Sequence, residues 1–250
     1  MLTLLWAGLI GWTASTAVNY LSDVLPRTRK MSHPLCQECG QARSWLSILY
    51  PGSCSSCGQD ESARHWLVFI SGPLISVLIW FWPPPALGYY SGMAWLTYFG
   101  LVTVIDMEHR LILHPVSLVG ALGGLVYGIS LHGGLSTLAG GIGGFGIMLG
   151  LYFLGGLFVR WMSQRRGETI DEIALGFGDV NLAGIMGLLL GWPGVLAGLF
   201  LAIILGGLGS GIYLLTRLIT RTYRAYDALP YGPFLVASVI YFFYIFPYLS

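Results

Sequence analysis

Charge is scarce in this chain. Only 9% of its 250 residues are Asp, Glu, Lys or Arg, and 55% are hydrophobic, whereas soluble domains carry roughly a quarter charged residues. That excludes an ordinary water-soluble domain and points to a membrane protein. Net charge is also nearly absent, at +1, so no nucleic-acid partner is expected. No internal repeat of the kind common in transporters is visible. The first segment lacks the basic n-region of a cleaved signal and contains Asn19 and Asp23, so it is expected to be retained as an anchor.

What the chain has instead is long apolar runs. Segments of about 18 to 25 such residues can each cross a hydrocarbon core about 30 Å thick as a helix. Eight are present, approximately Leu2 to Leu25, Trp66 to Trp82, Leu87 to Ile105, Pro115 to Leu131, Leu138 to Trp161, Ile173 to Trp192, Val195 to Ile219 and Tyr231 to Leu249. The few charges then fall into a pattern. Every Lys and Arg lies in or beside the first, third, fifth or seventh connection, and the acids follow the same partition. The even-numbered connections, such as PPPAL, LHGG and GWPG, carry no charge. If eight spans alternate, the charged face is cytoplasmic and both termini lie outside. The expected fold is therefore an all-α, polytopic membrane protein of about eight transmembrane helices, with its chemistry at the cytoplasmic edge.

All four cysteines sit in the first connection, as CQECG and CSSCG. The spacing is Cys36-x2-Cys39, fourteen residues, then Cys54-x2-Cys57. Two such knuckles can aim four thiolates at one tetrahedral zinc ion, and each glycine permits the tight turn. Two disulfides are the alternative, which a reducing cytosol disfavours. The ion would be structural, because four cysteines leave no open position for water.

An acid inside an apolar span is costly unless paired or hydrated, and so marks a candidate functional site. Asp106 ends the third span and Asp179 lies several residues into the sixth. Both positions are cytoplasmic in the alternating scheme, so the two can meet at one depth. A close pair would share a proton, one carboxylate drawing a proton from water while its protonated partner polarises a carbonyl. The alternative is two capping carboxylates that never touch. Gly176 and Gly178 are expected to let a backbone or a substrate strand approach Asp179. Glu168, Asp171 and Glu172 read as a solvated loop, Glu108 and His109 as headgroup-region residues. His132 belongs to the outer face, and His114, before Pro115, reads as a helix-start residue without a catalytic or ligand role.

Together these residues resemble a type IV prepilin peptidase, the membrane aspartic protease of pilus and type II secretion systems. IGWTASTAVNYLSDVLPR, with Asn19, is similar to the family's opening segment, and the cysteine pairs to its zinc loop. VIDMEHRLI resembles the first aspartate motif, GFGDVNLAGIMGLLLGW the GxGD motif and LPYGPFLVAS the closing segment. Presenilin-like proteases share the GxGD motif. The resemblance implies catalysis by Asp106 and Asp179, and an organisation into residues 1–25 (first helix), 26–65 (four-cysteine zinc loop) and 66–250 (seven-helix peptidase). It further implies location in a bacterial inner membrane, with a prepilin or pseudopilin substrate cut after a glycine. S-adenosylmethionine would serve as the donor for methylating the new N-terminus. Two departures stand out: Phe69 occupies the place of a family glutamate, and His114-Pro115 comes later than the usual Pro-Asp. Two other classes compete with an endopeptidase. One is a cation or proton transporter using Asp106 and Asp179, and the other is a silent scaffold organised by zinc.

Overall fold

The structure, a computed structural model, describes residues 2–36, 39–50, 52–166, 176–221 and 230–248. Each of the eight apolar segments forms helix. They are α1 (Leu2–Thr28), α3 (Ala63–Phe81), α4 (Gly88–His109), α5 (His114–His132), α6 (Gly134–Arg166), α7 (Phe177–Leu190), α8 (Gly194–Ile219) and α9 (Gly232–Ile240). A one-turn helix, α2 (Leu46–Leu49), interrupts the cysteine loop, and a π turn (Tyr241–Ile245) and a 3₁₀ turn (Phe246–Tyr248) continue α9. Among the described residues, α3, α5, α6 and α8 are each long and apolar enough to cross a membrane. α7 and the last helix are shorter. α1 and α4 are diluted by polar residues, Asn19 and Asp23 in one and Asp106 and Glu108 in the other. The QRRGETIDE acids lie outside the described residues.

Contacts divide the chain into two compact units. The first comprises Met1–His109 with Phe243–Ser250, the second Arg110–Phe242. In the first, α1 and α3 touch backbone to backbone. A methyl at Gly11 would strike Gly72 and Pro73, and one at Gly72 would strike Ser15. Small residues are what allow membrane helices to approach so closely. Ser76, on α3, donates to the Ala7 carbonyl at 2.6 Å and meets the Tyr89 hydroxyl at 2.7 Å, which ties in α4. The chain's last turns return here: Tyr244 donates to the Gly92 carbonyl and Tyr248 to the Pro83 carbonyl, each at 2.6 Å.

The second unit is built around α7. Val180, Leu182, Ala183, Ile185, Met186 and Leu189 are all buried, against α5, α6, α8 and α9. Its crossing with α6 is again made of small residues, since a methyl at Gly140 or Gly187 would collide with the other's carbonyl. At its C-terminal end, the His132 ring meets the Leu189 carbonyl at 3.0 Å and Ser136 donates to the Trp192 carbonyl at 2.9 Å. With 14 residues, α7 is about 21 Å long. That is shorter than a hydrocarbon core of about 30 Å.

Candidate active site

Asp179 sits in the first turn of α7 and is only 7% exposed. The backbone N–H of Gly176 donates to its Oδ2 at 3.2 Å. The carboxylate therefore caps the start of its own helix, satisfying a donor that would otherwise lack an intrahelical partner. Gly178 has a local reason as well. A Cβ there would lie 2.7 Å from the Cβ of Ile112, so its bare Cα lets the connection before α5 lie against the start of α7. Gly176 is exposed, and a Cβ on it would meet nothing closer than the Asp179 carboxylate at 3.4 Å.

Asp106 occupies the last turn of α4 and is 5% exposed. The helix stops three residues later because Arg110 adopts a left-handed backbone, φ 52°. Beside it lies a polar network that links α1, α3 and α4. The Arg64 guanidinium donates through Nε to Glu108 Oε1 at 2.8 Å and through Nη1 to Ser22 Oγ at 2.8 Å and Asn19 Oδ1 at 3.2 Å. Its Nη2 forms an ion pair with Asp23. Asn19 in turn donates to the His65 carbonyl at 3.1 Å, and His65 Nε2 lies 2.8 Å from the other Asp23 oxygen. Glu61 closes the group, 3.1 Å from His65 Nδ1 and ion-paired with Arg43 of the cysteine loop. The cavity these residues border holds about 30 Å³, room for a water or two rather than a peptide.

The cysteine loop forms two matching knuckles. The Cys36 N–H donates to the Gln41 carbonyl and the Cys54 N–H to the Gln59 carbonyl, both at 2.9 Å. Gly40 and Gly58 take the left-handed φ values of 69° and 72° that each turn requires. All four cysteines are free thiols, with ligand atoms within 4.8 Å of one another. Cys36 and Cys57 sulfurs are 3.7 Å apart, Cys39 and Cys54 sulfurs 3.8 Å. Sulfurs held about 2.3 Å from one tetrahedral zinc stand about 3.8 Å apart, so the donor set fits that ion. Backbone N–H groups of Cys57 and Ser56 hold the Cys54 thiol down to about 6. The Gln59 N–H acts the same way on Cys57, yet desolvation and hydrogen bonds to Cys39, Cys54 and Cys36 push that thiol up to about 12. One thiolate forms readily, and a divalent cation would replace the protons on the others.

Residues 90–211 match the type IV leader peptidase family. That segment contains both Asp106 and Asp179, and the resemblance read from the sequence is borne out. The chain is also 28% identical over 198 residues to the prepilin leader peptidase/N-methyltransferase of Aeromonas hydrophila, and equally to that of Aeromonas salmonicida strain A449. Each match covers 78% of this chain and 62% of the relative, so the chain spans about three-fifths of the length of the curated relatives it matches. No solved structure matches.

Phe69, which departs from the family pattern, is part of an aromatic cluster. Its ring lies edge-on to Tyr50 at 5.8 Å and to Trp66 at 6.1 Å, and so helps seat the cysteine loop on α3. It offers S-adenosylmethionine no carboxylate. The Arg64 network escaped the sequence reading except for Asn19. The available signal was Asp23, an acid near the end of an apolar span, which requires a cation nearby.

Proposed function

We propose that the chain is an integral membrane aspartic endopeptidase that removes the cytoplasmic leader of a prepilin or pseudopilin, cutting after a glycine. The observation that carries this reading is the pair of buried carboxylates, Asp106 and Asp179, both within the segment that matches the leader peptidase family. The family match also weighs against a transporter.

In the proposed mechanism one aspartate is ionised and the other protonated. The ionised carboxylate takes a proton from water as the oxygen attacks the scissile carbonyl. The protonated one gives its proton to that carbonyl oxygen, forming a neutral tetrahedral diol. Collapse breaks the C–N bond: the proton held by the first carboxylate passes to the leaving amine, while the second carboxylate takes back a proton from one diol hydroxyl, which leaves a carboxylic acid and restores both aspartates. The peptide must first unwind, because a helical amide is hidden in its own hydrogen bonds, and a glycine at the cut makes unwinding easier.

The active site is assigned to the cytoplasmic edge of the inner membrane, with both termini outside. Residues 26–65 are assigned as a zinc-stapled module and residues 66–250 as the peptidase proper. Within the first unit, the cysteine loop, the Arg64 network and the end of α4 lie together, which supports one charged face. Cys36, Cys39, Cys54 and Cys57 would hold zinc, which when bound would order a loop poor in apolar residues. N-methylation of the product by S-adenosylmethionine is carried over from the relatives' name. Phe69 gives that donor no carboxylate.

The test is incubation of the purified protein in detergent with a prepilin. Wild type is expected to cleave, and Asp106→Asn and Asp179→Asn each to lose at least about a thousandfold in rate. Cleavage by either variant at the wild-type rate removes that residue from the mechanism. Labelled S-adenosylmethionine in the same incubation reports methylation as label on the cleaved product.

A further inference from the structure

The Arg64–Glu108 contact reaches the helix turn that carries Asp106. The carbonyls of that turn have no partner further along the helix, and such ends open at low free energy. Glycine is the residue that usually relieves a helix C-terminus by taking a left-handed backbone, but here Arg110 does so. A non-glycine residue holds that backbone only at a conformational cost, so this end is less firmly set than a glycine-capped one. Support comes from the side: Glu108 accepts from Arg64 Nε at 2.8 Å. The guanidinium is itself immobilised by Asn19, Ser22 and Asp23 of α1. Three of the acceptors are on one helix and the fourth on another, an arrangement a planar fork of five donors can satisfy and a lysine ammonium cannot.

We propose that Arg64 is a positioning residue for Asp106, acting through Glu108 to hold the last turn of α4 at a fixed rotation against α1. Glu108 is two residues beyond Asp106, about 200° around the helix. The tether grips the face opposite the acid and sets the carboxyl's direction through the backbone. The role rests on the peptidase reading of Asp106. Neither Arg64 nor Glu108 takes part in the proton transfers.

The test uses the full-length protein in detergent, with prepilin cleavage and amide hydrogen exchange measured on the same preparations. Glu108→Ala removes the link to α4 and leaves the Arg64 bonds to α1 in place. It is expected to lower kcat about tenfold to a hundredfold, since small misplacements of a reacting group cost that much, with KM within about twofold. Amides of the last turn of α4 should exchange at least about tenfold faster. Glu108→Gln, which keeps an acceptor for Nε, is expected to recover most of both losses. Arg64→Lys should behave like Glu108→Ala.

Normal turnover by Glu108→Ala, with Asp106→Asn inactive, overturns the positioning role and leaves the peptidase reading standing. Slow turnover with unchanged exchange, or no rescue by Glu108→Gln, overturns it as well. Normal cleavage by Asp106→Asn overturns the peptidase reading and the positioning role with it.

Discussion

Gly178 and Gly176 flank one position in the same motif, but their surroundings differ. At 178 the space a side chain would need is filled by Ile112, whereas at 176 it is open apart from the Asp179 carboxylate. Gly178→Ala is therefore expected to destabilise the protein by about 1–3 kcal/mol, the usual cost of overpacking. Gly176→Ala should change stability by less than about 1 kcal/mol. Thermal unfolding of the two variants in one detergent separates them. Equal shifts would mean that Ile112 yields freely. From sequence, both glycines read as room for a neighbouring backbone or a substrate strand, and periodicity cannot reveal that the neighbour at residue 178 is residue 112. The acids themselves were legible for the opposite reason. A carboxylate in an apolar run stands out whatever surrounds it, and Asp106 and Asp179 are both buried. Arg64 was not legible as a hub. Its acceptors lie 41 to 45 residues away, beyond any local pattern.

At the scale of elements, hydropathy located every helix longer than one turn among the described residues, since burial in lipid demands long apolar runs. It placed ends less well. α6 begins at Gly134 rather than Leu138 and runs on to Arg166, and α3 begins at Ala63, ahead of Trp66, where Arg64 and His65 are held by Asp23, Glu61 and Glu108. The one-turn α2 left no apolar signature. The knuckles were fully legible, because the geometry that joins two thiols to a turn is local. The cysteine loop is an element whose order depends on that geometry and on a few aromatic contacts. Wild type is expected to carry about one zinc per chain, and Cys36→Ser to carry much less, measured by metal analysis. Chelation should make residues of the loop readily cleaved by protease while the helices of the second unit stay protected. Equal protection of the loop with and without metal would show that Tyr50, Trp66 and Phe69 suffice to seat it.

For the whole molecule, the division into two units does not follow the order of the chain. The first unit takes its α1–α4 from the beginning and its last two turns from the end. Tyr244 and Tyr248 make that closure with two hydrogen bonds to backbone carbonyls. Removing residues 243–250 is expected to lower the stability of the first unit by about 2–4 kcal/mol, from two lost hydrogen bonds and the burial of Phe243. Hydrogen exchange should rise in α4 near Gly92 while the α6–α7 crossing remains protected. Uniform protection after truncation would make the closure ornamental.

The returning tyrosines also bear on synthesis. A ribosome delivers Gly92 and Pro83 long before the two hydroxyls that bind them, with the whole second unit translated in between. The earlier helices must wait in the bilayer, half-finished, and the first unit closes only after Tyr244 and Tyr248 have left the exit tunnel.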